Sequence, residues 1–469
     1  MPASILDQFR SRGKLAEALR QIRDDTTNTA LIPVRARSMR LRPYQINGVN
    51  FLREHKKAIL GDAPGLGKTF QALEATVYPA ALTCPLSLVG QWEDFIRDQY
   101  PDVAVFIAAY GDVIKRHEAM EAFKAHKGDD KILIVNHDAL RTFYLPQVET
   151  VIADEYHHFR NREAKRSIGF KALAARTPNV FGLTATPIFK DVGDIFHLLH
   201  ILDAKQWGSY WSFLETYAVT DQSRFGTKIV RAKSPARLER DTQNYMLSRT
   251  YKDVGLELPK RIDKQVVLTL EPEARKRYDM LRDYYRLELA NDDTGEAKNF
   301  FNAGAVLHAL RELTVTKEKI EAVAQIIEDT PGDEPVIVFC WYRETAKVVA
   351  QKLKAAEITG ALKAEDRRDL ARGAEGQRVR VATMESLSEG VDLSDFRTVV
   401  YIEETYVPGQ QYQSMSRVIR HRTSVSEDND RPVVVYWVRY KQTVDAVVHD
   451  TARSRIDGNA MTVLREALL

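Results

Sequence analysis

The order of its apolar runs is the feature that most constrains how this chain folds. Short strand-like runs alternate with helical patterns from about residue 58 to about residue 190. These runs are Ala58–Leu60, Ala80–Cys84, Val103–Ala108, Ile132–Val135, Val151–Ala153 and Val180–Leu183. Such alternation is typical of a parallel sheet whose connections are helices. The first part of the chain is therefore predicted to be an α/β lobe.

The same alternation returns in the C-terminal part of the chain, where a helical pattern also covers Glu344–Ala355. The runs there are Val336–Cys340, Val379–Ala382, Thr398–Ile402 and Val433–Val438. Between the two blocks, aromatic and charged residues dominate, helical patterns are long, and one strand-like run occurs at Lys264–Leu270. We therefore predict two parallel-sheet lobes with helical insertions between them.

This pattern divides the chain into four predicted regions. They are an N-terminal helical extension at 1–37, a first lobe at 38–203, helical protrusions with an inter-lobe passage at 204–315, and a second lobe at 316–469. The extension is predicted to be helical because its apolar residues recur at nearly helical spacing.

Composition excludes several classes of protein. No apolar run approaches the ~20 residues that a membrane span needs, and the N-terminus lacks the apolar core of a signal peptide. The two cysteines, Cys84 and Cys340, lie in separate strand-like runs, which favours a reducing compartment and argues against a zinc site. The net charge is only +3, so any site for a polyanion is expected to be a local cleft.

A glycine-rich turn, GDAPGLGKT, follows the first apolar run and leads into a helical pattern. Gly65 and Gly67 would let backbone N–H groups approach phosphate oxygens at a helix N-terminus. Lys68 is expected to reach the β- and γ-phosphates of a nucleotide, and Thr69 to offer its hydroxyl to magnesium. Asp62 stands where the general pattern has glycine. The alternative interpretation is an ordinary strand-to-helix turn.

Two carboxylates end the apolar run at Val151–Ala153, which is where open α/β sheets place their ligands. Asp154 is expected to hold magnesium and Glu155 to polarise the attacking water. A capped strand end is the alternative, and the glycine-rich turn upstream argues against it. After the next run, Thr184 and Thr186 offer hydroxyls that would link the carboxylates to a moving neighbour, although a turn before proline fits equally well.

Together these segments resemble the motor core of helicase superfamily two, and in particular its Snf-type branch of chromatin-remodelling ATPases and DNA translocases. The stretch LRPYQINGVNFL resembles the adenine-reading element of that branch, which implies that Gln45 contacts the base with Arg42 beside it. Aspartate at position 62, where the general pattern has glycine, also fits the resemblance, because this branch typically has aspartate there. The stretch beginning at Cys84 (CPLSLVGQW) resembles an element that lies along a DNA strand, and the one beginning at Gly182 (GLTATP) resembles the third motif.

The second lobe carries a matching helix, QSMSRVIR, which resembles the glutamine and twin-arginine motif. Helical spacing puts Gln413, Arg417 and Arg420 on one face. The resemblance implies two RecA-like lobes with ATP in the cleft between them, and with both arginines stabilising the γ-phosphate as charge develops. A surface position is the alternative for each arginine. The sequence departs from the branch after Gly390, where it reads VDLS, and at His421, where HRT follows the arginine helix.

The resemblance also implies phosphate contacts with DNA in both lobes. Hydroxyl, amide and basic groups hold phosphates without reading bases. The candidates are Pro85, Ser87, Asn136 and Thr186 in the first lobe, and Arg343, Arg367, Thr383 and Ser386 in the second. A helix cap or a turn is the alternative for most of them. Basic residues of the middle zone would widen the DNA footprint, or else form a solvated face; they are Arg224, Lys228, Arg231, Lys233 and Arg237.

The expected function is ATP-dependent movement on double-stranded DNA that remodels protein–DNA complexes, with ATP and Mg²⁺ as cofactors. A strand-separating or annealing helicase is one alternative, and a nucleotide-gated DNA-binding switch is another. No obvious strand-splitting domain is present, which favours the translocase. The set of Lys68, Asp154, Glu155 and the two arginines argues against a switch. A chain that is nearly all motor also predicts a monomeric, cytoplasmic, nucleoid-associated protein of a prokaryotic or phage-infected cell, with no membrane partner.

Overall fold

A computed structural model describes residues 35–36, 40–188, 191–223, 226–291, 308–362, 364–373, 376–387, 391–405, 407–420 and 431–450. The predicted N-terminal helix, Arg224, Gly390 and His421 lie outside these residues. Helices α1 to α13 are, in chain order, Pro43–His55, Lys68–Ala75, Val89–Gln99, Val113–Ala125, Lys165–Arg176, Asp194–Leu202, Tyr210–Tyr217, Pro235–Thr242, Pro272–Asn291, Lys317–Glu328, Arg343–Leu353, Ala364–Arg372 and Pro408–Val418.

The strands alternate with these helices. Strands β1 to β15 are, in chain order, Lys57–Leu60, Ala80–Cys84, Ala104–Ile107, Lys131–Asn136, Thr150–Ala153, Asn179–Leu183, Ala218–Ser223, Gly226–Ala232, Met246–Leu247, Arg261–Leu268, Val336–Cys340, Ala356–Ile358, Val379–Thr383, Thr398–Tyr401 and Val433–Tyr440. Every apolar run that the sequence pattern assigned to a strand forms one. Short 3₁₀ turns occur at Leu86–Leu88, His137–Arg141, Tyr156–Phe159 and Lys252–Val254.

Two sheets organise the described residues into two lobes. The first has seven strands in the order β3-β4-β2-β5-β6-β1-β9, and the second has six in the order β10-β15-β14-β11-β13-β12. The paired strands within both sheets are parallel. The expectation of an α/β protein with two parallel-sheet lobes is confirmed.

Alternate side chains along the strands of the first sheet point to opposite faces and pack into two separate apolar clusters. Ile59 and Val135 belong to one cluster, whereas their neighbours Leu60 and Ile134 belong to the other. All four are buried. Because helices cover both faces, the strands read as continuous apolar runs rather than as alternating ones. Because both faces of the sheet are buried, the strand ends hold the loops that follow them in fixed positions.

The zone predicted to be helical, 204–315, contains strands as well. β7 and β8 form an antiparallel hairpin with an irregular register at Val219 and Thr220. Its residues are mostly polar, so the apolar pattern gave no strand signal there. β9 joins the first sheet beside β1, and β10 joins the second beside β15. The chain therefore passes from the first sheet to the second between residues 248 and 260.

The predicted catalytic motifs lie at the carboxyl ends of β1, β5 and β6, which are neighbours or near neighbours in the first sheet. Parallel strands bring such ends to one edge of the sheet. None of the described helices is both long enough and apolar enough to cross a membrane.

Candidate active site

A glycine-rich loop joins β1 to α2. Gly65 and Gly67 adopt φ angles of 81° and 78°, in the left-handed region that side chains with a Cβ rarely occupy. Gly67 also caps the N-terminus of α2, and a Cβ there would collide with the side-chain amide of Gln45. The loop thus needs both glycines, and the N-terminus of α2 that follows it is suited to binding phosphate oxygens.

Lys68 points back into this loop, as predicted for a phosphate-binding lysine. Its Nζ donates to the carbonyl oxygens of Asp62 at 2.7 Å and Ala63 at 3.3 Å. Desolvation lowers the pKa of Lys68, while the nearby carboxylates of Asp62, Glu155 and Asp154 act in the opposite direction. The ammonium group is therefore held among acceptors that phosphate oxygens can replace.

Asp62, which the sequence placed among the nucleotide-binding residues, binds protein side chains in this structure. Its carboxylate accepts hydrogen bonds from Arg249, at 2.9 Å to Oδ1 and 2.5 Å to Oδ2, and from Gln71 at 3.2 Å. Asp62 is fully buried. These contacts make it a support of the loop, because the positive charge of Arg249 is paired with both of its carboxylate oxygens.

Gln45 also contacts the loop, through the carbonyl of Leu66. It belongs to the first turn of α1, which begins at Pro43, a residue suited to a helix start. Its Oε1 accepts from the backbone N–H of Arg42 at 2.9 Å, and its Nε2 donates to the carbonyl of Leu66 at 3.2 Å. Gln45 and Arg42 are thus brought to the edge of the phosphate loop, where the adenine-reading element is expected.

Asp154 and Glu155 follow β5, beside the loop. Oδ2 of Asp154 accepts a 2.8 Å hydrogen bond from Nε1 of Trp92, and its Oδ1 accepts from the backbone N–H of Glu155 at 3.0 Å. Burial and the adjacent charge of Glu155 raise the pKa of Asp154. Trp92 is a site residue that the sequence analysis did not single out, because nothing in α3 alone indicates which residue its indole meets.

Glu155 is held in the left-handed region, with φ of 46°. Its Oε2 lies 3.3 Å from Nδ1 of His157, which also lies 3.2 Å from Oγ1 of Thr184. Burial raises the pKa of Glu155, but the hydrogen bond from His157 and the charges of His157, Arg417 and Lys68 outweigh it and lower the pKa overall. Glu155 is therefore ionised, as a group that accepts a hydrogen bond from water should be. The role of His157 was also missed.

Helix α13 of the second lobe lies against the carboxyl-end edge of the first sheet. Nε2 of Gln413 donates to Oγ1 of Thr186 at 3.3 Å, and both residues are buried. Nη2 of Arg417 lies 3.9 Å from Oε1 of Glu155. The third motif and the arginine helix thus meet across the lobes, in the manner that the hydroxyls of the third motif suggested.

Arg420 lies just beyond this helix, which ends at Val418 rather than continuing as the sequence predicted. Its Nε donates to the carbonyl of Ser416 at 3.0 Å. Burial, helped by the charge of Arg417, lowers the pKa of Arg420 to about 10. At neutral pH the guanidinium is still charged, so both arginines remain able to stabilise negative charge.

Several of the candidate DNA contacts make local bonds instead. Oδ1 of Asn136 caps the turn at His137–Arg141 by accepting from Ala139 N–H at 3.0 Å, and Oγ of Ser386 lies 2.8 Å from two carbonyl oxygens. These are the cap and turn alternatives. Pro85 and Thr383 are buried, and Ser87 lies in the turn after β2. Arg343 is exposed at the start of α11, whereas Arg367 is partly exposed and donates to the carbonyl of Ser386.

Two parallel-sheet lobes that meet over one phosphate loop are the architecture of helicase-like P-loop ATPases. The chain matches the SNF2-related domain over residues 44–318 and the helicase conserved C-terminal domain over residues 318–422. It belongs to the SNF2-related family, and the resemblance inferred from the sequence is confirmed. As a member of that family it is an ATPase.

Individual relatives are distant. The chain is 26% identical to the CHD3-type chromatin-remodeling factor PICKLE of Arabidopsis thaliana, over 62% of this chain and 22% of that protein. It is 24% identical to a Caenorhabditis elegans homolog of SWI/SNF-related matrix-associated actin-dependent regulator of chromatin subfamily A-like protein 1, over 89% of this chain and 61% of that protein. The chain thus spans less than two thirds of the length of these relatives.

A solved structure is similar to this chain along most of its length. It is the Sulfolobus solfataricus SWI2/SNF2 ATPase core in complex with dsDNA, with a TM-score of 0.43 and 20% identity. The match covers 93% of this chain and 95% of that one.

Proposed function

We propose that this chain hydrolyses ATP to move along double-stranded DNA and thereby alters protein–DNA complexes. One observation carries the proposal: Glu155, beside the phosphate loop of the first lobe, lies 3.9 Å from Arg417 of the second. The groups for hydrolysis are divided between two lobes. Each turnover therefore requires the lobes to approach and separate, and this motion becomes movement if both lobes hold the same track.

In this mechanism the first lobe binds the triphosphate. Backbone N–H groups after Gly65 and the ammonium of Lys68 hold its phosphates, while Gln45 and Arg42 lie where the base is expected. Glu155 orients the attacking water by accepting its hydrogen bond, because its lowered pKa keeps it ionised. The γ-phosphoryl group gains negative charge on its oxygens as it is transferred.

The second lobe supplies the positive charge for that step. Arg417 and Arg420 stabilise the transferred phosphoryl group when the lobes close, and arginines supplied in this way are worth on the order of 10³–10⁵ in rate in other systems. Both arginines and Lys68 belong to one chain, so a monomer contains the whole proposed site.

The residues present also fit a magnesium ion. Thr69 offers a hydroxyl oxygen and Asp154 a carboxylate, which are the hard oxygen ligands that this ion prefers. The orientation of Asp154 supports this fit, because the Trp92 indole and the Glu155 N–H hold its carboxylate at the end of the strand. Bound there, magnesium would neutralise charge on the β- and γ-phosphate oxygens.

Duplex DNA is the proposed track. Support comes from the names of two relatives, a chromatin-remodeling factor and a chromatin regulator homolog, because chromatin is double-stranded DNA with bound protein. In the second lobe, the exposed Arg343 and the partly exposed Arg367 are the strongest candidates for phosphate contacts, since such contacts fix position without reading sequence.

The test is ATPase activity of the full chain, titrated with single-stranded, duplex and branched DNA and with RNA. Duplex DNA should stimulate hydrolysis most, and the protein should displace a third strand from a triplex without separating the strands of a fork. Glu155→Gln serves as the inactive control. Equal stimulation by RNA and duplex DNA, or efficient strand separation at forks, would contradict the proposal.

A further inference from the structure

The segment that joins the two lobes, residues 248–260, begins alongside the phosphate loop. Backbone N–H groups of Gly61 and Ala63 donate to the carbonyl oxygens of Leu247 at 2.7 Å and Arg249 at 2.9 Å. The pairing of β1 with β9 thus continues into the loop itself. The loop is therefore built on the polypeptide that leads into the second lobe.

Arg249 of this joining segment connects three elements of the nucleotide site. Its guanidinium binds both carboxylate oxygens of Asp62 and, at 2.7 Å, the side-chain oxygen of Gln71 in α2. It also donates to the carbonyl of Tyr44 at the start of α1. The adenine-reading helix, the phosphate loop and the helix after it are thus tied to one side chain.

Tyr251 makes a second connection two residues further on. Its hydroxyl donates to the carbonyl of Pro64, and its ring packs with Ala63 and Leu66 of the loop. Tyr251 is buried, and its hydroxyl lies 3.6 Å from the point where a Cβ on Gly65 would be. The ring therefore covers the glycine turn from the side of the joining segment.

The same segment is fixed to the second lobe. Leu258 packs against the apolar cluster that contains Tyr251 and also against the core cluster of the second lobe. Burial raises the pKa of Tyr251 to about 12, and the charges of Arg420 and Arg417 oppose that rise. A change in the lobe arrangement must therefore act on a segment that is bonded to the phosphate loop.

We propose that Arg249 and Tyr251 are positioning residues that hold the phosphate loop in its ATP-binding shape from the joining segment, so that ATP binding and lobe arrangement influence each other. Neither residue is assigned a contact with the nucleotide. Such an influence is reciprocal, because two events linked through one element change each other's free energy equally. The inference rests on ATP binding at the proposed site, but not on movement along DNA.

Tyr251→Phe tests this directly, because it removes the hydroxyl and keeps the ring. Tyr245→Phe is the matched control: its hydroxyl donates to Oδ2 of Asp203 at 2.8 Å, just before β9 and away from the loop. Binding of a fluorescent ATP analogue to the full chain without DNA, and KM and kcat with saturating duplex DNA, are measured with the melting temperature of each variant.

Tyr251→Phe should raise the dissociation constant and KM by about 3- to 10-fold, the usual effect of one lost hydrogen bond, with a smaller change in kcat. Tyr245→Phe should change each by less than about 2-fold. If the two variants bind nucleotide equally well, the inference is wrong and the ATPase proposal stands. If the wild-type chain binds no nucleotide, both are wrong.

Arg249→Lys provides a second measurement, with Arg97→Lys as its control on an exposed helical pair with Glu93. Lysine keeps the charge beside Asp62 but loses the planar fork that binds both carboxylate oxygens. Nucleotide affinity should fall by about 10- to 100-fold, as expected for hydrogen bonds to a charged group. A folded Arg249→Lys protein with unchanged affinity would overturn the role of Arg249. Should this variant not fold, the tyrosine pair decides.

Discussion

Two arginine–carboxylate pairs flank the phosphate loop, and they differ in how tightly they are formed. Arg249 binds both oxygens of the fully buried Asp62, at 2.9 and 2.5 Å. Arg417 of the second lobe lies 3.9 Å from Glu155, beyond the ~2.7–2.9 Å of a charge-assisted hydrogen bond. The first pair fixes the shape of the loop, whereas the second would shorten if the lobes came closer.

The rest of the site is also divided between the two lobes. Within the first lobe, Lys68, Gln45 and Asp154 each make bonds of 2.7–3.3 Å to groups of that lobe. Across the lobes, Gln413 reaches Thr186 at 3.3 Å. Under the proposed function, first-lobe groups bind the triphosphate and the attacking water, and second-lobe groups supply the positive charge for phosphoryl transfer. Variants of the first-lobe groups that hold phosphates and base should therefore change binding, whereas variants of Glu155 and of the second-lobe groups should change turnover.

Lys68→Ala has the largest expected effect. Removing the ammonium group takes away the charge that holds the β- and γ-phosphates, so hydrolysis should fall to background and ATP binding should weaken strongly. Lys57→Ala is the control, because Nζ of Lys57 also donates to a backbone carbonyl, that of Ala174, at the far end of β1. Phosphate release with duplex DNA measures the first effect and calorimetry the second. Robust turnover by Lys68→Ala would refute the site.

Arg420→Ala should separate turnover from binding. Turnover should fall by about 10³-fold or more, since an arginine that stabilises the phosphoryl group is lost, while affinity for ATP stays within about 3-fold, the low end of what one hydrogen bond is worth. Single-turnover hydrolysis and nucleotide titration give the two values. Arg431→Ala, on an exposed pair with Glu334 of the same lobe, should leave both unchanged. If affinity falls as far as turnover does, Arg420 contributes to ATP binding, and the assignment of the second lobe to turnover alone is wrong.

Glu155→Gln should bind ATP and DNA but stall, because an amide orients water poorly and cannot accept its proton. A loss of about 10²–10⁴ in kcat is expected from removing such a group. Glu163→Gln, on an exposed carboxylate in the turn after the motif, is the control. Filter binding of DNA measures whether binding is retained, and phosphate release measures whether turnover is lost. Normal turnover in Glu155→Gln would require another group to activate water.

The sequence predicts those parts of this site that are local. The strands before Lys68 and Asp154 are apolar runs, and parallel pairing carries their ends to one edge, so the adjacency of the two motifs follows from the pattern. Arg249 and Tyr251 were not predicted, because β9 has only two residues, which are too few to form a strand pattern. Their partners lie in a loop more than 180 residues earlier, and only the pairing of β9 with β1 brings them together.

Trp92 shows the same limit within one lobe. Its indole reaches Asp154 because β2 and β5 are neighbours in the sheet. Strand order is a property of the whole sheet, and no pattern in α3 reveals it. Arg420 marks a different limit: the 3.6-residue spacing predicted a continuous helix, but α13 ends at Val418. Helix ends depend on local capping and tertiary contacts, which apolar spacing does not report.

Gln413→Ala has the smallest expected effect and tests the second-lobe side of the comparison. It removes the 3.3 Å hydrogen bond to Thr186, which joins the arginine helix to the third motif across the lobes. DNA-stimulated turnover should fall by about 2- to 10-fold, the value of one neutral hydrogen bond, with ATP affinity unchanged. Gln325→Ala, which removes an exposed hydrogen bond to Asp329 in the same lobe, should alter neither. A loss of ATP affinity in Gln413→Ala, without a loss of turnover, would mean that this contact belongs to the ATP-binding site of the first lobe.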